Sequence, residues 1–206
     1  MRGFKTEGII LKRKNFGEAD RILTVFTLQR GKISIVAKGV RRITSRRAGN
    51  VELLNRVILF LYQGRGMPIL TEAEGIENFE KLKSDLTLST VAFHIIELID
   101  KLTAENQENR LLYEHLVNCL KRLERNPRQI FIRAFEAKIL TNLGFADFKD
   151  PLIVKLVNSN WDEIEKIEID KKQALELERV LRYHLERTIE GQLKSRRLLR
   201  FARSDD

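Results

Sequence analysis

The sequence predicts an α+β chain: a five-stranded, OB-like β-barrel at the N-terminal end, followed by an all-α helical domain. Three observations predict it. Short β-branched and aromatic runs recur between glycine-marked turns as far as residue 78. From about Phe79 the apolar spacing changes from two to between three and four, as amphipathic helices require. Positive charge is confined to one end: the first 65 residues carry fifteen Lys and Arg against four Asp and Glu, whereas residues 81 to 206 carry 23 against 21.

The strands are expected at Thr6 to Lys14, Arg21 to Gln29, Lys32 to Lys38, Leu53 to Tyr62 and Ile69 to Ile76. In the second, Ile22, Thr24, Phe26 and Leu28 alternate with Leu23, Val25 and Thr27, so one set can face a core. Gln29-Arg30-Gly31-Lys32 reads as a hairpin turn, Gly39 ends the third strand, and the run to Gly49 is the longest connection. Five strands in about 75 residues suit a small closed barrel.

In the second half, Leu88, Val91, Ala92, Ile95, Ile96, Ile99 and Leu102 form one stripe on a helix of roughly 86 to 103. Leu112, His115, Leu116, Cys119, Leu120 and Leu123 do the same for the next. A third helix has Pro127 in its first turn and stops before Gly144; Ile130 to Leu140 are apolar nearly all round, which makes it central. Asp170 is a fitting N-cap for a helix running to Gly191, and Ser195 for a short basic one ending near Ala202. Residues 145 to 169 have no clear period. The implied division is 1–78, a nucleic-acid-binding barrel, and 79–206, a helical domain for partner binding.

Composition excludes several classes. One cysteine, Cys119, rules out an internal disulfide and any multi-thiolate zinc site, and points to a reducing, cytoplasmic setting. No apolar signal core and no uncharged apolar run of the ~18 residues that a membrane span needs are present, so the expectation is a soluble protein. Phosphate-loop, dinucleotide and nucleophile-elbow motifs are missing as well, which argues against an enzyme and against any cofactor.

A basic module joined to a near-neutral one suits a polyanion. The run from Lys38 to Arg47 holds five cations and no acid. Arg21, Lys32, Lys38, Arg41, Arg42, Arg46 and Arg47 are the candidate phosphate contacts, which give affinity without reading sequence. Lys12, Arg13, Lys14, Arg56 and Arg65 either join that patch or lie on another face. Phe16 and Tyr62, near strand ends, are candidate stacking platforms; Phe26 and Phe60 read as core. A second cluster, Lys194, Arg196, Arg197, Arg200 and Arg203, supplies Lys194 and Arg196 as secondary candidates, unless these cations only oppose a helix dipole.

Several segments carry a family resemblance. Glu7-Gly8-Ile9-Ile10-Leu11, Gly17-Glu18-Ala19-Asp20-Arg21-Ile22-Leu23-Thr24-Val25-Phe26-Thr27, Gly31 to Arg42, Arg133-Ala134-Phe135-Glu136, Leu143-Gly144-Phe145 and Leu193 to Leu198 fall in the expected order over nearly the whole chain. The chain resembles RecO, the bacterial recombination mediator. That resemblance implies a DNA repair and recombination protein that binds single- and double-stranded DNA and anneals complementary strands. It also implies action with RecR to load recombinase onto DNA covered by single-stranded-DNA-binding protein, and a nucleoid-associated location in the cytoplasm. One departure is plain: many relatives carry four zinc-binding cysteines after the Leu-Gly-Phe segment, and residues 146 to 206 contain none.

By the same resemblance the helical half binds the acidic C-terminal tail of the single-stranded-DNA-binding protein, which needs an apolar pocket with a cation at its rim. Arg128 and Arg133 are the candidates; alternatively Arg133 is an internal partner of Glu136 or of an acid on another helix. His115 and Cys119, four apart on an apolar stripe, read as packed residues and not as metal ligands. Glu18 and Asp20 read as turn residues more readily than as an acid pair. Two other functions fit the residues. An RNA-binding OB module fused to a helical adaptor would bind RNA and DNA equally without annealing strands, and a nuclease would destroy labelled oligonucleotide when metal is added.

Overall fold

A computed structural model describes residues 2–189; Lys194, Arg196 and the basic helix expected after Ser195 lie outside the described residues. The chain forms two compact units. One comprises the residues up to Phe79 together with Thr103–Tyr113, the other Glu80–Leu102 and the residues from Glu114 onward. A stretch that follows the first long helix in sequence therefore belongs with the strands.

The first unit is built on β1 (Arg2–Phe16), β2 (Asp20–Thr27), β3 (Gly31–Ala37), β4 (Arg56–Gln63) and β5 (Ile69–Glu77). They close in the order β1-β2-β3-β5-β4, with every pairing antiparallel except β3 with β5. Closure removes the free edges that an open sheet would leave. Ile10, Leu23, Val25, Ile33, Ile35, Val57, Leu59 and Leu70 fill the interior. Leu23 and Val25 are the inward set of β2, as their alternation implies. Phe26 is also fully buried, because Tyr113 packs on it with ring centroids 6.1 Å apart.

Strand four starts at Arg56 and not at Leu53. Leu54 takes φ 67° and turns the chain; its N–H donates to the Ile10 carbonyl at 3.0 Å, while the Ile10 N–H donates to the Asn55 carbonyl at 3.1 Å. The 103–113 segment is held along the barrel. The Asn106 N–H donates to the Lys32 carbonyl at 2.8 Å, and the Tyr113 hydroxyl to Glu7 at 2.9 Å. Gly31 permits this approach: at φ 64° an added Cβ would sit 1.8 Å from the Gln107 carbonyl oxygen.

The second unit carries α1 (Glu80–Ser84), α2 (Leu86–Leu102), α4 (Gln129–Asn142), α5 (Pro151–Asn158), α6 (Trp161–Glu165) and α7 (Lys171–Thr188). It also holds most of α3 (Arg110–Arg125). The central helix is α4, whose residues from Ile130 to Leu140 are all buried apart from Arg133. Arg128 is its N-cap residue, so Pro127 precedes the helix where the sequence placed it in the first turn. The period of residues 145 to 169 was obscure because two short helices share it. Asp150 caps α5, and Asn160 forms a capping box with Glu163 on α6. Asp170 caps α7 as its residue type implies. No helix among the described residues is long and apolar enough to cross a membrane.

Candidate nucleic-acid interface

The connection from Lys38 to Asn55 carries the basic run, and it is a chain of reverse turns. Successive N–H to carbonyl bonds run from Arg42 to Gly39 at 3.2 Å, Ser45 to Arg42 at 2.9 Å and Asn50 to Arg47 at 3.2 Å. The first turn is pinned to the β1–β2 hairpin: Asp20 Oδ1 accepts the Gly39 N–H at 2.7 Å, and the Arg41 N–H donates to the Ala19 carbonyl at 2.9 Å. Gly39 meets this geometry at φ 64°. Further along, Asn50 Nδ2 donates to the Ala73 carbonyl of β5 at 2.6 Å. The cations thus stand on a backbone fixed at both ends.

Lys38, Arg42, Arg46 and Arg47 line one cleft of about 500 Å³ with Asp20, Thr44 and Ser45. Arg41 is exposed beside them and donates to the Gly17 carbonyl at 3.3 Å. Lys38, Arg42 and Arg46 are exposed and make no ion pair among the described residues. Arg47 differs, since it clamps the connection by donating to the carbonyls of Leu70 at 2.7 Å and Lys38 at 2.8 Å. Its charge still faces the cleft, although its donors are engaged.

The other barrel candidates separate. Arg21 Nη1 lies 3.5 Å from Glu52, which also holds Arg13. Lys32 is only 8% exposed, beneath the 105–106 segment, and so contributes nothing to an open surface. Arg56 pairs with Glu7 at 2.7 Å and Glu77 at 2.9 Å; burial disfavours its charge, but the two carboxylates outweigh that and raise its pKa. Burial, reinforced by Glu7, also pushes the Tyr113 phenol up. Phe16 is 51% exposed at the hairpin that touches the basic connection, and Tyr62 is exposed near the end of β4. Phe26 is core, whereas Phe60 is half-buried under the Lys5 ammonium, 5.0 Å from its ring centre.

Two contributors were missed from sequence. Ile43 is fully exposed between Arg42 and Thr44, an apolar side chain on a cationic turn. Asp20 serves as the anchor of that turn. Its position at the hairpin end of β2 was the signal, and the bond to Gly39, nineteen residues away, was not readable.

In the helical unit both expected rim cations are engaged internally. Arg133 donates to Glu136 at 2.6 Å and lies 3.3 Å from Glu178, with its side chain 12% exposed. Glu136 also receives His94 Nε2 at 2.8 Å. Burial alone would raise the Glu136 pKa, yet Arg133 and His94 hold it down at about 2. Arg128 donates to the carbonyls of Glu165 and Ile167, the latter at 2.7 Å, and so ties α4 to the end of α6. A tail carboxylate at either arginine would compete with these bonds. His115 accepts a hydrogen bond from Trp161 Nε1 at 3.2 Å, while burial and the Lys138 charge lower its pKa to about 4. The buried Cys119 thiol donates to the Phe131 carbonyl, and burial pushes its pKa well up.

Comparison with known proteins adds the family. The model described as Recombination protein O N terminal matches residues 1–79, and that described as Recombination protein O C terminal matches residues 83–146. The chain belongs to the RecO family. The first RecO match coincides with the residues up to Phe79 of the barrel unit, and the second ends just after Leu143-Gly144-Phe145. DNA repair protein RecO of Roseiflexus sp. (strain RS-1) is 36% identical over 145 residues, 70% of this chain and 51% of that protein. The Acetivibrio thermocellus RecO is 37% identical over 149 residues, covering 71% and 59%. That of Listeria innocua is 33% identical over 141 residues, covering 68% and 55%. The matched stretch thus spans between half and three-fifths of these RecO proteins.

Proposed function

We propose that the barrel holds nucleic acid through its phosphates and that the chain acts in DNA repair and recombination as a mediator without catalysis. One observation carries the reading: Lys38, Arg42, Arg46 and Arg47 line a single cleft on a fixed backbone, with Arg41 alongside. Cations on rigid turns neutralise phosphates with little ordering cost, and an apolar residue such as Ile43 among them suits contact with sugars or bases. Contacts to phosphates carry no sequence information, so binding through them is sequence-tolerant. Annealing then needs only that repulsion between two strands be screened, because base pairing supplies the stability of the product.

By family kinship the same chain assists the loading of recombinase onto DNA covered by single-stranded-DNA-binding protein, with RecR as a further partner. The proposed DNA surface consists of Lys38, Arg41, Arg42, Arg46 and Arg47; Lys32 is left out because it is buried, and Arg21 because Glu52 holds it. Arg128 and Arg133 are left out of the tail site because each is engaged within the helical unit.

The test is annealing of complementary oligonucleotides by wild type and by the Lys38→Ala, Arg41→Ala, Arg42→Ala triple variant. Loss of annealing with unchanged thermal unfolding is expected, together with steep suppression of wild-type binding by salt, with a log-log slope of about −0.9 per phosphate contact on duplex. A triple variant that still anneals, or an affinity indifferent to salt, overturns the assignment.

A further inference from the structure

A second cleft, of about 300 Å³, opens beside β3 within the barrel unit, and its lining includes Phe4, Arg30, Ser34, Gln63, Met67 and Glu105. Strand β3 meets β5 at a single pair, Val36 with Ile69, so the rest of that edge of β3 is left to other partners. The Lys32 carbonyl accepts the Asn106 N–H and the Val36 N–H donates to the Pro68 carbonyl, both at 2.8 Å. Strand alternation turns the N–H and carbonyl of Ser34, midway between them, towards the same edge, where no described backbone group pairs with them.

The same cleft holds a stacking surface. The Arg30 guanidinium lies 3.9 Å from the centre of the Phe4 ring, and Arg30 is exposed, so the other face of its plane is open to a second planar group. Glu105 supplies a carboxylate: Ser34 Oγ donates to its Oε1 at 3.0 Å, and Oε2 has no partner among the described residues. The walls are fixed, since the Arg30 N–H donates to Thr27 Oγ1 at 3.1 Å and Gln63 Nε2 to the Gly66 carbonyl at 2.9 Å. A plane for stacking, an acceptor-only group and an open backbone edge are what one unpaired base requires. The carboxylate favours guanine, whose Watson–Crick edge presents adjacent N–H donors.

We propose that this cleft takes one unpaired guanine of a bound single strand, stacked on Arg30 and hydrogen-bonded through its Watson–Crick edge to Glu105. This rests on the nucleic-acid reading of the barrel. Ser34 lines this cleft and Lys38 the basic one; at strand spacing they are about 13 Å apart along the chain, so a strand of a few nucleotides spans both. Phosphates supply affinity at the first cleft, and the base pocket adds a preference that phosphates cannot carry.

The experiment measures anisotropy of a labelled oligothymidine carrying one central guanine, adenine or thymine, with the full chain. The guanine strand is expected to bind about fivefold or more tighter than the thymine strand, the discrimination of a good bidentate pair. Adenine, a purine that also stacks but lacks the N1–H donor, should fall well below guanine. Glu105→Ala should bring the guanine and adenine strands together, whatever the change of charge does to both. Arg30→Lys keeps the charge and loses the plane, so it should weaken the guanine strand severalfold more than the thymine strand with the salt slope unchanged; it carries the same question if Glu105→Ala does not fold. Equal binding of guanine and adenine by wild type, or an undiminished guanine preference in both variants, overturns the proposal. Guanosine monophosphate tests a free source of the same base. Displacement of the guanine strand by the nucleotide at the strand's own concentration would overturn the strand-borne reading, whereas displacement only at far higher concentration supports it. The Lys38→Ala, Arg41→Ala, Arg42→Ala variant should weaken the guanine and thymine strands alike and keep their ratio. If instead it binds both as wild type does, the phosphate reading of the barrel fails, and the guanine ratio is still read independently.

Discussion

The helical unit and the barrel's long connection use arginine in opposite ways. In the helical unit Arg133 bridges Glu136 and Glu178, Arg122 meets Asp162 and Glu165, and Arg125 also meets Glu165. Arg128 is tied to two carbonyls. These cations join helices distant in sequence, and their charge is answered inside the fold. On the barrel's long connection Arg42, Arg46 and Lys38 are exposed without ion pairs among the described residues, while Arg47 and Asp20 hold the backbone that presents them. The contrast is thus between cations that join helices and cations of the long connection that are left for a ligand; elsewhere on the barrel Arg13, Arg21 and Arg56 are also answered by carboxylates.

Arg133 gives the largest test of that division. Arg133→Met leaves Glu136 buried with only His94 beside it, and breaking such a pair costs about 3–5 kcal/mol. Thermal unfolding should show a large loss of stability in the helical unit. A near-wild-type midpoint would mean that Arg133 is not structural and would return it to the list of ligand cations. The converse is the Lys38→Ala, Arg41→Ala, Arg42→Ala variant, expected to lose more than tenfold in single-strand affinity at ~0.1 M salt while its unfolding midpoint holds. Equal effects on stability and affinity would erase the contrast between the units.

Acid should sharpen it further. His115 is held at about 4 by burial and Lys138, against an ordinary 6.5, so the unfolded chain takes up a proton first. The helical unit therefore keeps this contribution above about pH 6.5 and loses it as pH falls towards 4. Glu136 adds a second loss, beginning below its ordinary 4.5 and continuing towards 2, as its folded carboxylate is forced to protonate. His115→Gln should flatten the unfolding midpoint against pH in the upper window alone; an unchanged slope there would assign that acid sensitivity to other groups. The smallest expected effect is at Ile43: Ile43→Ser should lower single-strand affinity by a few-fold with the salt slope unchanged, because an apolar contact releases no counterion. A changed slope would mean that the substitution had disturbed Arg42.

How much was legible follows from the range of each interaction. Period two through residue 78 and period three to four after it are properties of neighbouring side chains, and the barrel and helices follow them to within a few residues. The exceptions have long-range causes. Strand four loses Leu53 and Leu54 because Ile10 bonds the chain at Leu54 and Asn55, and residues 103–113 join the barrel because Gly31 has no side chain to keep Gln107 away.

Composition and periodicity by themselves determined the two-part architecture, the central place of α4 and the basic character of the β3–β4 connection, since each is a local sum over residue types. Only the tertiary structure decided which cations remain open to a ligand. Lys38, Arg42 and Arg46 look no different in sequence from Arg47, Arg128 or Arg133. What separates them is a carboxylate or carbonyl brought alongside from many residues away, and that depends on packing, which no local pattern records.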